Sequence, residues 1–155
     1  MASQKDRDVI ILAIHPVYVD RILNRSKRVE FRKGIIPSSV KHCAIYSTRP
    51  VSRIVAYFSV KNIDVRPIRD LWNLYGAQSG LSFEEFHSYY GERKAGTAIL
   101  IDNVWKLINP LSPESPSIAL KVPQSYRYLD ACRWNAIRRR KSIEVGFKIL
   151  RSKLQ

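Results

Sequence analysis

Ile22-Leu23-Asn24-Arg25-Ser26-Lys27-Arg28-Val29-Glu30-Phe31-Arg32-Lys33 joins two different periodicities. Its first residues complete a helical stripe in which Val19, Ile22 and Leu23 share one face, while Asp20, Arg21 and Asn24 are polar. Its last six residues alternate as a strand does, and successive side chains of an extended chain point to opposite faces. Val29 and Phe31 therefore share one face, and Arg28, Glu30 and Arg32 share the other. Lys27 stands at the strand entrance, where a flexible ammonium still leans toward the polar side. A carboxylate between two guanidinium groups suits either of two roles: a structural ion pair on a solvated face, or a polar cluster that holds a polar ligand.

On either side of this stretch the chain reads as alternating strands and short helices. Val9 to Ile14 is a continuous apolar run, the mark of a buried first strand. His15-Pro16 ends it, and proline suits the first turn of the following helix. Residues 33–39 form a loop and residues 41–47 a strand, closed by the turn Thr48-Arg49-Pro50. Residues 53–63 alternate over a long strand, with Ile54, Ala56, Phe58 and Val60 assigned to one face; its length fits a curved strand wrapping a barrel. Residues 67–75 predict a helix with Pro67 at its start and the stripe Ile68, Leu71, Trp72, Tyr75. Ser82 opens a second helix through a capping box with Glu85, with Leu81 and Phe86 placed as a hydrophobic staple and Gly91 as the stop. Tyr89 and Tyr90, at helical spacing, read as core in preference to their other reading as platforms for nucleobases. Residues 96–108 are again strand-like, with a bulge at Asp102-Asn103 where strict alternation breaks. Prolines 110, 113, 116 and 123 punctuate an irregular crossing segment. Residues 130–155 read as one or two basic helices with an interrupted stripe of Trp134, Ile137, Ile143, Phe147 and Leu150. This order predicts an α+β fold: a small, mixed but mostly antiparallel β-barrel with flanking helices and a basic C-terminal helical extension.

The chain of 155 residues is long enough for a real core, and its apolar content of 45 % is that of a globular protein. Its charge is unusual: 27 Lys and Arg against 13 Asp and Glu give a net +14. Such an excess is the electrostatic footprint of a nucleic-acid binder, although an anionic membrane surface would attract it too. Cys43 and Cys132 are far apart, and His15, His42 and His87 are scattered, so neither a metal site nor a cofactor is expected. No stretch is long enough to span a bilayer, and the polar start MASQKDRD argues against a signal peptide. A cytoplasmic protein without membrane partners is the expectation.

The pattern Lys27-x-x-Glu30-x-Arg32 after a first helix resembles the hallmark of the ASCH family, a branch of the PUA-like superfamily, which runs roughly Gly-x-Lys-x-x-Glu-x-Arg. The glycine place holds Arg25, a departure at a position where glycine would ease a turn with positive φ. The segment around Ser47, Thr48, Arg49 and Pro50 is similar to a Tyr-small-Thr-x-Pro segment of the family. Residues 122–129 are similar to the closing Pro-Gln-Ser-aromatic-Arg-Tyr-Leu segment of prokaryotic members described as predicted transcriptional regulators. The resemblance runs from about Val9 to Leu129. It implies a polar tail over residues 1–8, an ASCH domain over 9–129 and an extension over 130–155. It also implies a PUA-like pseudobarrel with a cleft between the first helix and the strand of Glu30, which in related folds takes a nucleotide or an extruded base.

Three functions follow as expectations. The first is a module that binds RNA, or another single-stranded nucleic acid, in a basic cleft. There Lys27, Arg28 and Arg32 hold phosphate or the ligand edge, and Glu30 accepts from a base amino group. Ser47, Thr48 and Arg49 stand at the rim; Gln124 and Ser125 offer neutral hydrogen bonds, Tyr126 a stacking face and Arg127 a phosphate contact. Ser47 and Thr48 have a second reading as turn hydroxyls that bond their own backbone, and Ser125 one as a helix N-cap. The run Arg138-Arg139-Arg140-Lys141 supplies non-specific affinity. The second is an RNA-processing enzyme using Lys27 and Glu30. The resemblance offers ribonucleases and N4-acetylcytidine amidohydrolases, but the threonine of the latter's triad is replaced here by Glu30. The third is a protein-interaction module, monomeric or a homodimer through Trp134, Ile137 and Phe147.

Overall fold

A computed structural model describes residues 7–146. Over these residues strands and α-helices alternate: β1 (Val9–Ile14), α1 (Pro16–Leu23), β2 (Val29–Arg32), β3 (His42–Ser47), β4 (Arg53–Pro67), α2 (Ile68–Tyr75), α3 (Phe83–Tyr90), β5 (Ala95–Leu111), β6 (Tyr126–Tyr128), α4 (Ala131–Arg138) and β7 (Ser142–Val145). One sheet runs in the order β2-β5-β4-β3-β1-β6, with β7 also on β5. Among the described strands only β1 and β3 pair in parallel, which a helical crossover such as α1 permits. The sheet curls into a half-barrel whose ends in this order, β2 and β6, mark an open seam.

β1 is apolar throughout because it is covered on both faces. Ile10, Leu12 and Ile14 join a core with Val19 and Ile22 of α1, Cys43, Ile45, Ala56 and Phe58. Val9 and Ile11 join a second core with Ala44, Tyr46, Tyr57, Leu107, Leu129 and Ile137. A third cluster, Val29, Phe31, Leu71, Phe86, Tyr90 and Ala98, fixes α2 and α3 against β2 and β5. Phe31 meets Phe86 edge to face at 4.9 Å, a favoured aromatic geometry. The capping box at Ser82 and Glu85 forms in both directions, and Gly91 leaves α3 with φ +57.

Three comparisons with the sequence reading have local causes. Ile54 lies in the second core while Ala56 and Phe58 lie in the first, because the β4–β5 register shifts between Ile54 and Ala56 and turns the alternation over. The bulge at Asp102-Asn103 forms where expected: Phe58 pairs with Val104 and Val60 with Ile101. The segment after Arg139 is not helical. Ser142-Ile143-Glu144-Val145 pairs antiparallel with residues 104–107 of β5, and Ile143 is exposed rather than part of a helical stripe. Ile137 is fully buried beneath this sheet, so it offers no dimer face among the described residues. Phe147, Leu150, the rest of 147–155 and residues 1–6 lie outside the described residues.

Candidate nucleotide cleft at the seam of the half-barrel

The turn that delivers Lys27 to β2 is left-handed at Arg25, with φ +66. This is the glycine place of the motif, and arginine occupies the conformation glycine would adopt freely. Its side chain has a compensating role: Nη2 donates to the Asp102 carbonyl at 2.8 Å, over the bulge of β5. Gly146 is needed beside it, since a Cβ there would approach the Arg25 Cγ to 2.9 Å.

From this turn Lys27 enters the protein. It is 2 % exposed, yet it keeps its charge partnered: Nζ donates to the Ser79 carbonyl at 2.9 Å and lies 3.3 Å from Glu30 Oε2. The Tyr18 ring lies 5.8 Å from the same ammonium. The connection between α2 and α3 wraps this side chain, with Gly80 at φ +66 and no room for a Cβ beyond 3.0 Å from the Lys27 Cβ. Glu30 and Arg32 are each 8 % exposed. Arg32 Nε lies 3.4 Å from Glu30 Oε1, and Arg32 Nη2 donates to the Ala13 carbonyl at 2.8 Å. A guanidinium thus reaches across the open side of the sheet from β2 to the end of β1. The Tyr90 hydroxyl donates to the Arg32 carbonyl at 3.0 Å and holds β2 from the outside. Cys43 lies below the cluster; burial pushes its thiol well up, with Arg32 opposing and Glu30 adding to the shift.

These side chains floor an open cleft of about 980 Å³. α1 contributes Tyr18 and the His15 before it; β2 and its exit contribute Lys27, Glu30, Arg32, Lys33 and Gly34; α3 contributes Glu84, Glu85, Ser88 and Tyr89. Arg93, Gln124 and Ser125 complete the wall. Lys33 Nζ sits 4.9 Å over the Tyr89 ring, and burial raises the Tyr89 hydroxyl above its ordinary value. Arg21 clamps the far side: its Nη1 donates to the Gly80 carbonyl at 2.7 Å and to Glu85 Oε2 at 3.3 Å. Glu85 in turn is held below the usual carboxylate range, first by the Ser82 backbone and then by Arg21.

Of the residues expected from sequence, the structure brings together Lys27, Glu30, Arg32, Gln124 and Ser125. Arg28 is the exception on the motif itself. It precedes β2, its backbone is tied to Gln78 and Ile101, and its side chain is exposed with Nε turned back to the Arg25 carbonyl. The alternation that groups it with Glu30 does not extend to it. Thr48 meets the cleft indirectly, through a 3.3 Å approach to His15 Nδ1. Ser47 is buried in β3, and its hydroxyl has no hydrogen-bond partner among the described residues. Arg49 is exposed outside the lining. Ser125 caps no helix: its carbonyl accepts from the Ala13 N–H at 3.0 Å and leads into β6. Tyr126 packs against the first core, and Arg127 bonds the Lys121 carbonyl. Arg138 at the end of α4 and Arg139, Arg140 and Lys141 before β7 are exposed, outside the cleft lining.

Sequence reasoning does not assign His15, Tyr18, Lys33, Tyr89 or Arg93 to the cleft. Lys33 and Tyr18 flank the motif and are within reach of it; Tyr89 belongs by its spacing to the aromatic stripe of α3; Arg93 carries no local signal. No group of three or more His, Cys, Asp or Glu side chains converges as a metal site among the described residues. Nor is any described helix long and apolar enough to cross a membrane.

No family model matches the chain. An ASCH domain-containing ribonuclease of Zymomonas mobilis is 28 % identical over 102 residues, covering 65 % of this chain and 69 % of that protein. Two Ureaplasma parvum proteins are also similar. One, described as ATP synthase subunit alpha, is 27 % identical over 128 residues and is matched over 16 % of its length. The other, described as a large ribosomal subunit protein, is 25 % identical over 132 residues and is matched over 42 % of its length. None of these is described as a transcriptional regulator. The crystal structure of ASCH from Zymomonas mobilis superposes with a TM-score of 0.77 at 22 % identity, over 88 % of this chain and 98 % of that one. A point variant of the same protein gives 0.76 at 23 % identity, over 85 % and 95 %. The described chain shares the fold of ASCH from Zymomonas mobilis: a mixed, mostly antiparallel sheet curled into a half-barrel.

Proposed function

We propose that this chain is an RNA-binding module whose seam cleft receives one nucleotide of a single strand. The observation that carries this reading is the Lys27–Glu30–Arg32 cluster, three charges that are nine-tenths or more buried on the floor of a cleft large enough for a nucleotide. Removing charges from water is costly, and ion pairs of this kind are weak as pure stabilisers. Here the pairing is also incomplete, since Arg32 Nε stays outside hydrogen-bond geometry. Buried and oriented charged side chains that line an opening favour a polar ligand. A base is one that needs little extrusion energy when it comes from a single strand. Lys33 and Arg93 at the wall suit phosphate, Tyr18 and Tyr89 suit stacking, and the Arg138 to Lys141 run adds sequence-independent attraction. The similarity to a protein described as a ribonuclease supports RNA over DNA.

The test is the salt dependence of binding to a labelled single-stranded RNA. For single strands the slope of log K against log salt is about −0.7 per phosphate neutralised. Binding that weakens steeply with salt, and drops at least about tenfold in Lys27→Met at fixed salt, is the expected result. Affinity that does not change with salt contradicts the reading.

A second reading, cleavage of the bound RNA, rests on the same relative and on the 3.3 Å approach of Lys27 to Glu30. A lysine and a carboxylate in contact can exchange a proton and serve as acid and base. Incubation of labelled RNA with wild type and Lys27→Met separates the two. Products from the wild type alone favour the enzyme; RNA that the wild type binds and leaves intact favours the module.

A further inference from the structure

The order of hydrogen-bonding groups on the floor of the cleft specifies which base edge it can take. Glu30 is flanked on both carboxylate oxygens: Lys27 Nζ stands 3.3 Å from Oε2, and Arg32 Nε stands 3.4 Å from Oε1. Ammonium and guanidinium groups only donate, and an ionised carboxylate only accepts. The floor therefore presents donor, acceptor, donor in that sequence. Each donor retains capacity. Lys27 spends one proton on the Ser79 carbonyl and directs another at Glu30, leaving a third. Arg32 spends an Nη2 proton on the Ala13 carbonyl and holds its inaccessible Nε against Glu30, so the donors it keeps for a ligand are on Nη1 and Nη2. All three residues are nine-tenths or more buried, so a wrong partner is penalised by leaving a charge unsatisfied without water.

Among base edges only an imide is complementary to this array. Uracil offers C2=O, N3–H and C4=O, which is acceptor, donor, acceptor. Cytosine turns the bare N3 lone pair toward the carboxylate. Guanine places its N2 amino group against one of the cations, and adenine likewise sets an amino group where an acceptor is required. We infer that the cleft selects the imide edge of uracil in single-stranded RNA, with N3–H donated to Glu30 and the two carbonyls accepting from Lys27 and Arg32. This rests on the proposed RNA-binding reading and deepens it from a nucleotide to one class of base.

The experiment compares short labelled oligomers of uridine, cytidine, adenosine, 5-methyluridine and N3-methyluridine, all single-stranded and at one salt concentration, on the unmodified protein. Loss of a hydrogen bond to a buried charged group corresponds to roughly tenfold or more in affinity. Uridine and 5-methyluridine oligomers are expected to bind alike, at least about tenfold tighter than cytidine or adenosine. N3-methyluridine, which keeps both carbonyls and the ring but lacks the donor, is expected to fall to the level of cytidine. Glu30→Gln, folded by circular dichroism, should reduce the preference for uridine over cytidine to less than about threefold while leaving the salt slope in place. Equal binding of all oligomers, or unchanged binding on N3 methylation, overturns the uracil assignment alone. Salt-independent binding, or no binding to any oligomer, overturns the RNA reading and the assignment with it.

Discussion

Two clusters of positive charge in this chain have opposite physical character. At the seam, Lys27 and Arg32 are buried, share one carboxylate, and reach backbone carbonyls on two other segments. From the last residue of α4 to the start of β7, Arg138, Arg139, Arg140 and Lys141 are all exposed, and Arg138 Nε bonds no further away than Asn135 of its own helix. In the linear sequence the second cluster is the more conspicuous, since it is the densest positive run. Physically it is the less specific: an exposed cation carries its water with it and is screened by salt. The seam cluster is oriented before any ligand arrives, so its polar groups can discriminate. On the proposed reading, charge density marks where a polyanion is attracted, and buried charge marks where it is read.

This contrast is most exposed to failure at Glu30. Glu30→Ala leaves two buried cations facing each other, and unfolding by denaturant should show a loss of about 3–5 kcal/mol. Arg138→Ala should cost no more than about 0.5 kcal/mol in the same titration. Similar losses at both positions would mean that the seam is no more constrained than the surface run. A smaller effect is expected at Gly80, which adopts φ +66 against the Lys27 Cβ. Gly80→Ala should destabilise by roughly 1–2 kcal/mol from the left-handed backbone alone, and RNA affinity should fall as Lys27 is displaced. Retained affinity with lowered stability would separate the Ser79–Gly80 wrap from the binding role.

Replacing all four residues Arg138 to Lys141 by alanine probes the other half of the contrast. The salt slope should flatten by up to about 0.7 for each phosphate no longer neutralised, while base preference and the denaturation midpoint stay unchanged. A weaker preference would place recognition in the exposed run. The two cysteines report the same difference with the least perturbation. Cys43 is buried below the seam with its thiol pushed up by burial, and Cys132 is exposed on α4. A thiol reagent should titrate one cysteine in the native protein and two after denaturation, because the thiolate is the reactive form.

Much of this contrast is legible in the amino-acid sequence. The period-two alternation of Val29, Glu30, Phe31 and Arg32 separates the aromatic cluster of α3 from the polar floor, as the structure does. Ser82 and Glu85 announce the start of α3 through local capping, and the broken alternation at Asp102-Asn103 announces the bulge. These are short-range signals with a fixed spacing. Long-range closures carry no such signal. That Arg32 bonds Ala13, that Lys27 is wrapped by Ser79 and Gly80, and that Arg93 reaches the cleft all depend on how the sheet curls. Ser142 to Val145 reads as helix because four residues are too few to establish a period, and only the exposed edge of β5 makes them a strand. Arg28 groups with Glu30 on paper because alternation says nothing about where a strand begins. Arg25 shows a reverse case: an unfavourable residue holds a left-handed position because its side chain is bound to the Asp102 carbonyl across the bulge.

Whether the seam receives a nucleotide is decided by photo-crosslinking a single-stranded RNA that carries 4-thiouridine and identifying the modified residues by mass spectrometry. Adducts are expected on the cleft wall, at Tyr18, Lys33, Tyr89 or their neighbours, and should be suppressed by excess unlabelled RNA. Adducts confined to residues 131–146, with the cleft unmodified, would show that RNA is held by the exposed run and that the seam does not take it.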